Sequence, residues 1–403
     1  MNIFKYIINN GIGHTFDVIW QYKIDLVIQK IFNIVLKNKP LQDIIVIESH
    51  NDFDCNGGAF YDFLIKNGYN KKYKIIWLLK HPENKPNDLP YNVECVKMFS
   101  PSLKKDYYNV VAKYFTFDNT ILKKYRSEQR FFYLTHGCGG LKNVKGRINI
   151  NNDIDYALLQ SENYAPIQAE QYSMLYPSKK IVYLGYPAHD VMYNADGEEI
   201  KKITSKEYKK KIIWMPTFRK GGGYKRNDST KDLAMGLPLI KNIEEFNKLN
   251  TFLKDNDTLL IIKLHPMQDL SDLKISNMSN IIILTGSDVK KKNIDNYRLL
   301  PCMDAMISDY SGVAYEYLQL DKPISYILDD MDDYKLGFVV DNIDSLLAGP
   351  KIFNLEDMLS FIEAVINGSD SYIEKRHQIR DYIYKYHDGN SCKRLAEFMG
   401  LVK

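Results

Sequence analysis

Short apolar runs alternate with longer amphipathic stretches along most of the chain. A first series of runs occurs at 44–47, 74–79, 93–96, 114–117, 131–135, 156–159 and 181–184. A second series occurs at 212–215, 259–264, 281–284, 305–307 and 324–328. Short continuous apolar runs are typical of strands buried on both faces, and helices between them are typical of parallel sheets. The pattern predicts two α/β domains, each with its sheet covered by helices.

Three changes in this pattern divide the chain into segments. Pro40 ends an N-terminal amphipathic extension, residues 1–39. Residues 195–210 are charged and lack a core periodicity, so we expect them to connect a first domain, residues 40–194, to a second domain, residues 195–375. Helical spacing prevails after residue 354, with helices predicted at 355–366, 370–386 and 391–400. Residues 376–403 are predicted to pack back across the domains.

The extension has two interpretations. Apolar residues recur at helical spacing, and lysines fall near one face: Ile24, Val27, Ile28, Ile31 and Val35, with Lys23, Lys30 and Lys37. Such a basic amphipathic helix suits an anionic membrane surface. More often, such a helix packs on its own domain and leaves a lysine edge in water.

Composition narrows the function classes. The 403 residues are 45% hydrophobic and 26% charged, as in globular proteins, and the net charge of +4 is too small to indicate a nucleic-acid binder. The five cysteines are dispersed without a C-x-x-C pair, which favours a reducing compartment over disulfides or zinc. No apolar run approaches the roughly 20 residues of a membrane span, and the N-terminus lacks a signal-peptide pattern. We therefore expect a cytoplasmic protein.

Polar residues follow five of the predicted strands. In open α/β sheets, ligands bind beyond the C-terminal ends of the strands. This criterion selects Ser49-His50, His136-Gly137, Thr217 to Arg219, His265-Pro266 and Ser308 to Gly312.

The last of these groups predicts a phosphate site. Residues 305–317 read as a strand, a polar turn and a helix start, with Ser308, Asp309 and Ser311 as possible caps and Gly312 without a side chain. A helix N-terminus can hold phosphate, and Glu316, one turn further, could accept hydrogen bonds from a ribose. We interpret this turn as a site for a nucleotide diphosphate. The alternative is an ordinary strand-to-helix junction.

Three other residues carry candidate chemistry. His136 precedes a glycine-rich loop, Gly137, Gly139 and Gly140 followed by Lys142, and a histidine there can act as a general base. His265 can stabilise charge on a leaving group, and Arg219 suits bidentate phosphate contacts. The two histidines have structural alternatives, a turn histidine for His136 and a strand-end cap for His265. A solvated loop face is the alternative for the basic residues after Arg219, which are Lys220, Lys225 and Arg226. The acidic cluster at 329–333 lacks metal-site spacing, so we expect an exposed turn and no metal.

Taken in order, these segments resemble the CDP-glycerol glycerophosphotransferases, the teichoic-acid polymerase and primase family, over residues 44–400. The residues that carry the resemblance are Ile47-Glu48-Ser49 with Tyr61-Asp62-Phe63-Leu64, His136-Gly137 with Leu141-Lys142, Gly185-Tyr186-Pro187 with Asp190, Pro216-Thr217-Phe218-Arg219, His265-Pro266, Ser308 to Tyr317, Lys322-Pro323 and Asp388-Gly389.

The resemblance implies a GT-B fold of two facing Rossmann-like domains, the first on the acceptor side and the second binding CDP-glycerol, without a metal or other cofactor. By analogy, His136 is the general base, and His265 and Arg219 hold the pyrophosphate with Ser311 and Gly312. Glu316 binds the ribose. Glycerol phosphate would pass to a lipid-linked glycan or polyol-phosphate acceptor at the inner membrane face, for teichoic acid or capsule synthesis, with release of CMP.

Departures from the family pattern leave the substrates open. Cys138-Gly139-Gly140 stands before Leu141-Lys142 where the family usually has Thr-Pro, and Lys220 replaces an acidic residue after Arg219. CDP-ribitol is an alternative donor. A sugar transferase of the same fold that uses a nucleotide sugar, and a non-catalytic membrane scaffold, are alternative functions.

Overall fold

The computed structural model describes residues 7, 11–99, 101–137, 139–148, 150, 153–219, 228–229, 233–271 and 273–403. It confirms the predicted architecture of two parallel sheets. The first sheet has seven strands in the order β3-β2-β1-β4-β5-β6-β7, and the second has six in the order β10-β9-β8-β11-β12-β13. The strands are β1 (Gln42–Glu48), β2 (Lys74–Leu79), β3 (Val93–Lys97), β4 (Ala112–Phe117), β5 (Arg130–Tyr133), β6 (Tyr156–Leu158), β7 (Ile181–Val182), β8 (Lys210–Trp214), β9 (Thr258–Lys263), β10 (Ile281–Leu284), β11 (Ala305–Ser308), β12 (Ile324–Ile327) and β13 (Lys351–Ile352).

Helices connect these strands and cover both faces of each sheet. The described α-helices are α1 (Ile12–Ile19), α2 (Asp25–Leu36), α3 (Cys55–Lys66), α4 (Leu103–Val111), α5 (Ala165–Gln171), α6 (Pro187–Tyr193), α7 (Ile243–Asp255), α8 (Gly286–Lys291), α9 (Asn296–Leu299), α10 (Gly312–Tyr317), α11 (Leu355–Asn367), α12 (Ile373–Ile383) and α13 (Ser391–Phe398). The helix predicted at 294–300 begins only at Asn296, because the Asp295 carboxylate caps it by accepting from the N–H groups of Tyr297 and Arg298.

The two domains share one hydrophobic cluster. Alternate residues of β1 and β9, such as Ile45 and Ile261, belong to this cluster, which runs between the sheets. The residues on the opposite faces of the same strands, such as Val46 and Ile262, belong to two separate outer clusters. Burial on both faces explains why the strands read as continuous apolar runs.

The extension docks through polar residues. In α2, Asp25 and Gln29 are buried, and they contact the Lys105 ammonium and the Asp106 carboxylate of α4. The predicted apolar face is largely exposed, at Val27, Ile31 and Val35, whereas Ile24 and Ile28 are half-buried. Ile34 beside them and Ile12 and Phe16 of α1 are exposed as well. The amphipathic helix is therefore present, with its apolar face outward.

The last helix packs on the first domain. The Asp190 carboxylate in α6 accepts hydrogen bonds from the backbone N–H groups of Ser391 and Cys392, at 2.9 and 2.7 Å, and so caps α13. A Cβ atom on Gly185 would lie 2.4 Å from Ser391 Oγ. This close approach explains why a glycine precedes Tyr186-Pro187.

The expected boundary near residue 195 lies between β7 and β8.

Candidate active site

His136 lies just beyond the C-terminal end of β5. Thr135 before it has a φ of 62°, a rare conformation for a β-branched residue, so the strand ends earlier than the predicted residue 135. This turn places His136 Nδ1 3.0 Å from the carbonyl oxygen of Asp118. A carbonyl only accepts, so Nδ1 carries the proton of the neutral ring and Nε2 keeps its lone pair. Burial lowers the pKa of His136 from its usual 6.5, which keeps this base neutral at pH 7.

His50 stacks on His136. Their ring centroids are 4.6 Å apart, and their planes differ by 9°. His50 follows β1 and is exposed, so it forms one wall beside the candidate base and restricts the rotation of its ring. Two of the five predicted strand-end groups therefore meet here.

Glu48 and Ser49 fix the backbone that holds His136. Glu48 Oε2 accepts from the N–H groups of Asp118 and Asn119 at 3.2 and 3.0 Å, and Ser49 Oγ donates to Asp118 Oδ2 at 2.7 Å. The Lys80 ammonium lies 2.5 Å from Glu48 Oε1 and supplies the opposite charge. The Glu-Ser pair that carries part of the family resemblance thus immobilises the Asp118 carbonyl.

Asn56 makes a second clamp that the sequence did not reveal. Its side-chain Nδ2 donates to the carbonyl oxygens of Leu134 and Thr135, both at 3.0 Å, and its Oδ1 accepts from Ala188 N–H at 2.9 Å. The amide thereby joins the first turn of α3, the end of β5 and the start of α6. Its contacts restrain the turn at Thr135, so Asn56 positions His136 through the backbone.

The glycine loop meets the first turn of α10 across the domain boundary. A Cβ atom on Gly312 would lie 2.5 Å from the Gly139 carbonyl oxygen, and one on Gly140 would lie 2.9 Å from the Tyr315 ring. Lys142 pairs with Phe338 in an antiparallel bridge. The predicted acceptor-side loop and donor-side turn are therefore in contact, and only glycine fits at this seam. Cys138 lies outside the described residues.

Glu316 is buried and faces this loop. Its Oε1 would lie 3.9 Å from a Cβ atom on Gly137 and accepts from the Tyr297 hydroxyl at 3.2 Å. The carboxylate is thus next to the residue that follows His136. Ribose binding by Glu316 stays a prediction.

The predicted caps of α10 require a correction. Ser311 occupies the N-cap position without a side-chain hydrogen bond to the helix. Ser308 Oγ instead donates to the Met215 carbonyl oxygen at 3.0 Å, because the side chain points back toward β8. Asp309 Oδ1 accepts from Ser311 N–H at 3.1 Å. The prediction that this helix start holds a phosphate stays a prediction.

Arg219 is not open to the cleft, which differs from its predicted place among the phosphates. Its guanidinium is 1% exposed and donates to Asp330 Oδ2 at 2.5 Å and to Asp309 Oδ2 at 2.8 Å. Thr217 Oγ1 donates to Asp309 Oδ1 at 2.7 Å, and the Tyr310 hydroxyl donates to Asp330 at 2.5 Å. Two carboxylates satisfy the buried cation, so phosphate contact by Arg219, Thr217 or Asp309 stays a prediction that requires this network to open.

The acidic turn is only partly the exposed turn that we predicted. Asp330 is buried beside Arg219, and Asp329 Oδ2 accepts from Leu239 N–H at 3.1 Å. Within the described ranges, no group of three His, Cys, Asp or Glu side chains has the arrangement of a metal site. Lys220 lies outside the described residues.

His265 is exposed beyond the end of β9. Its Nδ1 accepts from Met267 N–H at 3.1 Å, and its ring centroid lies 4.9 Å from that of Phe218. Because Nδ1 accepts, the proton of the neutral ring lies on Nε2. This tautomer suits donation to a phosphate oxygen and is opposite to that of His136.

Three enzymes of teichoic acid synthesis are similar to this chain in sequence. The teichoic acid glycerol-phosphate primase of Bacillus subtilis is 27% identical over 310 residues, which cover 72% of each chain. The teichoic acid ribitol-phosphate primase of Bacillus spizizenii is 26% identical over 299 residues, 68% of this chain and 70% of that protein. The teichoic acid poly(glycerol phosphate) polymerase of Bacillus spizizenii is 23% identical over 402 residues, 92% of this chain and 94% of that protein.

The fold has a solved counterpart in the wall teichoic acid polymerase TagF. One TagF structure superposes with a TM-score of 0.71 at 20% identity and covers 99% of this chain and 97% of that chain. A profile described as CDP-Glycerol:Poly(glycerophosphate) glycerophosphotransferase matches residues 30–400. The predicted family is thereby confirmed: the chain is an enzyme that belongs to the CDP-glycerol:poly(glycerophosphate) glycerophosphotransferase family.

Proposed function

We propose that this enzyme transfers glycerol phosphate from CDP-glycerol to a hydroxyl of a lipid-linked glycan or polyol-phosphate acceptor and releases CMP. The observation that carries the proposal is the fixed tautomer of His136, a neutral base at the seam where the glycine loop meets α10. Family membership supports the donor class. Crystals of a TagF variant soaked with CDPG show the same fold, with a TM-score of 0.69.

The proposed reaction is one displacement at phosphorus. His136 Nε2 takes the proton of the acceptor hydroxyl as its oxygen attacks the phosphorus bonded to glycerol. The bond from that phosphorus to the oxygen of CMP breaks, and CMP leaves with that oxygen. His265 Nε2–H donates to a phosphate oxygen and stabilises the growing charge. We propose that these protein groups suffice without a metal ion.

The proposal is tested with purified protein, a lipid-linked acceptor and three donor classes: CDP-glycerol, CDP-ribitol and UDP-sugars. We expect CMP release with CDP-glycerol, unchanged by EDTA. His136→Ala should lower the rate by roughly 10²–10⁴-fold, the usual contribution of a general base. Near-normal turnover of that variant would contradict the base assignment, and inhibition by EDTA would contradict the metal-independent reaction.

CDP-ribitol is the second candidate donor. The ribitol-phosphate and glycerol-phosphate primases are almost equally similar to this chain, at 26% and 27% identity. If CMP were released from CDP-ribitol and not from CDP-glycerol, the transferred group would be ribitol phosphate. UDP release from a UDP-sugar would indicate a sugar transferase.

We also propose that the enzyme works on the inner face of the membrane, held by α1 and α2. The outward face of α2 combines the apolar residues Val27 and Ile34 with Lys30, all exposed, and the exposed Lys23 and Lys37 flank the helix. This combination suits an anionic lipid surface. Along the described stretches, no helix is both long and apolar enough to cross a bilayer. The proposal is therefore docking on the surface of the membrane.

Vesicle flotation tests this placement. The double variant Ile31→Glu, Ile34→Glu should lose binding to vesicles that contain anionic lipid, because two charges replace the apolar contact. The matched control is Phe353→Glu, which changes an exposed apolar residue of the second domain and should bind as the wild type does. If the wild type, the double variant and Phe353→Glu floated equally, the extension would not be the membrane contact.

A further inference from the structure

Lys263 is a buried lysine without a countercharge. It is the last residue of β9 and is 5% exposed. Along the part of the chain that the structure describes, no carboxylate or other acceptor pairs with its ammonium. Burial lowers the pKa of Lys263 to about 8, so the side chain remains largely protonated at pH 7. A charge in this position is unfavourable, because buried ions are normally paired.

The other buried cations show the contrast. Four lysines and arginines are buried in the described part of the chain. Lys105 pairs with Asp25, Arg219 with Asp309 and Asp330, and Arg376 with Asp321 and Asp370. Lys263 is the exception, since no carboxylate of the described residues pairs with it. Contacts within the unliganded protein therefore do not explain why a charged side chain is buried at this position.

The register of β9 places Lys263 beside the candidate active site. The odd-numbered residues before it, Leu259 and Ile261, belong to the cluster between the domains. The even-numbered residues Leu260, Ile262 and Leu264 belong to the outer cluster. Side chains alternate along a strand, so Lys263 lies on the face turned toward the first domain. His265 follows two residues further, just beyond the end of the strand.

The neighbouring strand β8 continues into a segment that contacts His265. Ile262 pairs with Trp214 of β8, and β8 continues into Thr217 and Phe218, whose ring contacts His265. Lys263 therefore lies at the C-terminal edge of the second sheet, two residues before His265, where the second domain is proposed to hold its donor.

We propose that Lys263 is a phosphate-binding residue, whose ammonium is paired only when the anionic diphosphate of the donor occupies the cleft next to His265. This inference rests on the proposed function. An unpaired charge in a water-poor position destabilises the empty protein and attracts an anion strongly, because little solvent screens the interaction. The donor would thus complete a charge pair that the other buried cations already have.

Lys263→Met tests the proposal, because it keeps the aliphatic stem and removes the charge. The full-length protein is titrated by calorimetry with inorganic pyrophosphate and, separately, with CDP-glycerol, and unfolding is followed by thermal melts. We expect both ligands to bind about 10- to 100-fold more weakly, since one hydrogen bond to a charged group is lost. The melting temperature should stay the same or rise, because the variant removes an unpaired buried charge.

Lys322→Met is the matched control. Lys322 Nζ donates to the carbonyl oxygens of Pro301 and Met303, both at 2.7 Å, at the opposite end of the second sheet. This variant should melt at a lower temperature and bind both ligands as the wild type does. The opposite responses of the two lysines separate a binding role from a structural one.

The remaining outcomes are also decisive. Unchanged affinity in Lys263→Met, or a melting temperature lowered as in Lys322→Met, would overturn the proposal. Pyrophosphate binding that depends on Lys263, with no binding of CDP-glycerol to the wild type, would support Lys263 and overturn the proposed donor. A wild-type protein that binds neither ligand would overturn both.

Discussion

At the scale of single residues, the chemistry of the site depends on two histidines held in opposite tautomers by backbone groups. His136 donates through Nδ1 to Asp118, whereas His265 accepts through Nδ1 from Met267. One ring is therefore prepared to take a proton and the other to give a hydrogen bond. Neither assignment follows from the sequence, because each depends on a carbonyl or N–H group that the fold brings to the ring.

The pH dependence follows from the environment of His136. The base must be neutral, so kcat/KM falls as the pH drops through its pKa, and burial together with the Lys80 charge lowers that pKa. We expect the acid limb of the profile to lie below pH 6.5. In Lys80→Met the limb should move to higher pH, because removal of a positive charge makes protonation easier. Lys124→Met, which removes the partner of Asp155, is the control and should leave the limb in place.

Asn56 offers a test of positioning through the backbone. Asn56→Asp replaces the amide that donates to Leu134 and Thr135 by a carboxylate that repels both carbonyl oxygens. We expect kcat to fall about tenfold or more, as a small displacement of a catalytic group suffices for this, while KM for the donor changes little. Asn56→Ser, which keeps one donor, should recover part of the rate.

Asn280→Asp is the control for Asn56. Asn280 is equally buried, at 2%, and also donates to two carbonyl oxygens, those of Leu253 and Thr258. Both Asp variants should lose stability, but only the Asn56 variant should lose kcat. Equal rates in the two variants would contradict a positioning role for Asn56.

At the scale of elements, the turns after β8, β11 and β12 form one buried charge network. Arg219, Asp309 and Asp330 come from these three turns and hold them together. Removal of one partner leaves a buried charge unpaired, so Arg219→Met should lower the free energy of unfolding by about 3–5 kcal/mol. Denaturant titration measures this loss.

The reciprocal change distinguishes a structural network from a phosphate site. Asp330→Asn keeps the shape and should also destabilise, but it leaves the Arg219 guanidinium with Asp309 alone. If Arg219 contacts phosphate after opening, Asp330→Asn should bind pyrophosphate more tightly than the wild type. If Asp330→Asn bound pyrophosphate as the wild type does, the role of Arg219 would be structural, holding the three turns together.

The sequence predicted elements better than their contacts. The strands at 74–79 and 281–284 were predicted with the bounds that the structure shows, and the other ten predicted strands agree within two residues at each end, because apolar runs depend only on burial. The two-residue strand β13 was not predicted. Asn56 gave no signal, since a polar residue at a helix start has many local uses. Arg219 and Asp330 are 111 positions apart, and no local pattern indicates that such groups pair.

At the scale of the whole molecule, the two domains meet where backbone packs on backbone. Gly312→Ala would place a Cβ atom 2.5 Å from the Gly139 carbonyl oxygen, which cannot move aside as a side chain can. We expect activity to fall at least tenfold, because a displacement of this size separates the base from the donor-side turn. Gly13→Ala, where a Cβ atom meets nothing within 4 Å, is the control and should retain full activity.

The cap that Asp190 provides for α13 has a consequence for synthesis of the protein. Cys392, Leu395 and Ala396 contribute to the same core as Ala59 and Phe60 of the first domain. Domains generally fold in order as the ribosome extends the chain, but this first domain lacks part of its core until residues 391–398 have been translated. We therefore expect a nascent chain that stops before residue 391 to expose the faces of α3 and α6, so that chaperones bind it until translation passes the last helix.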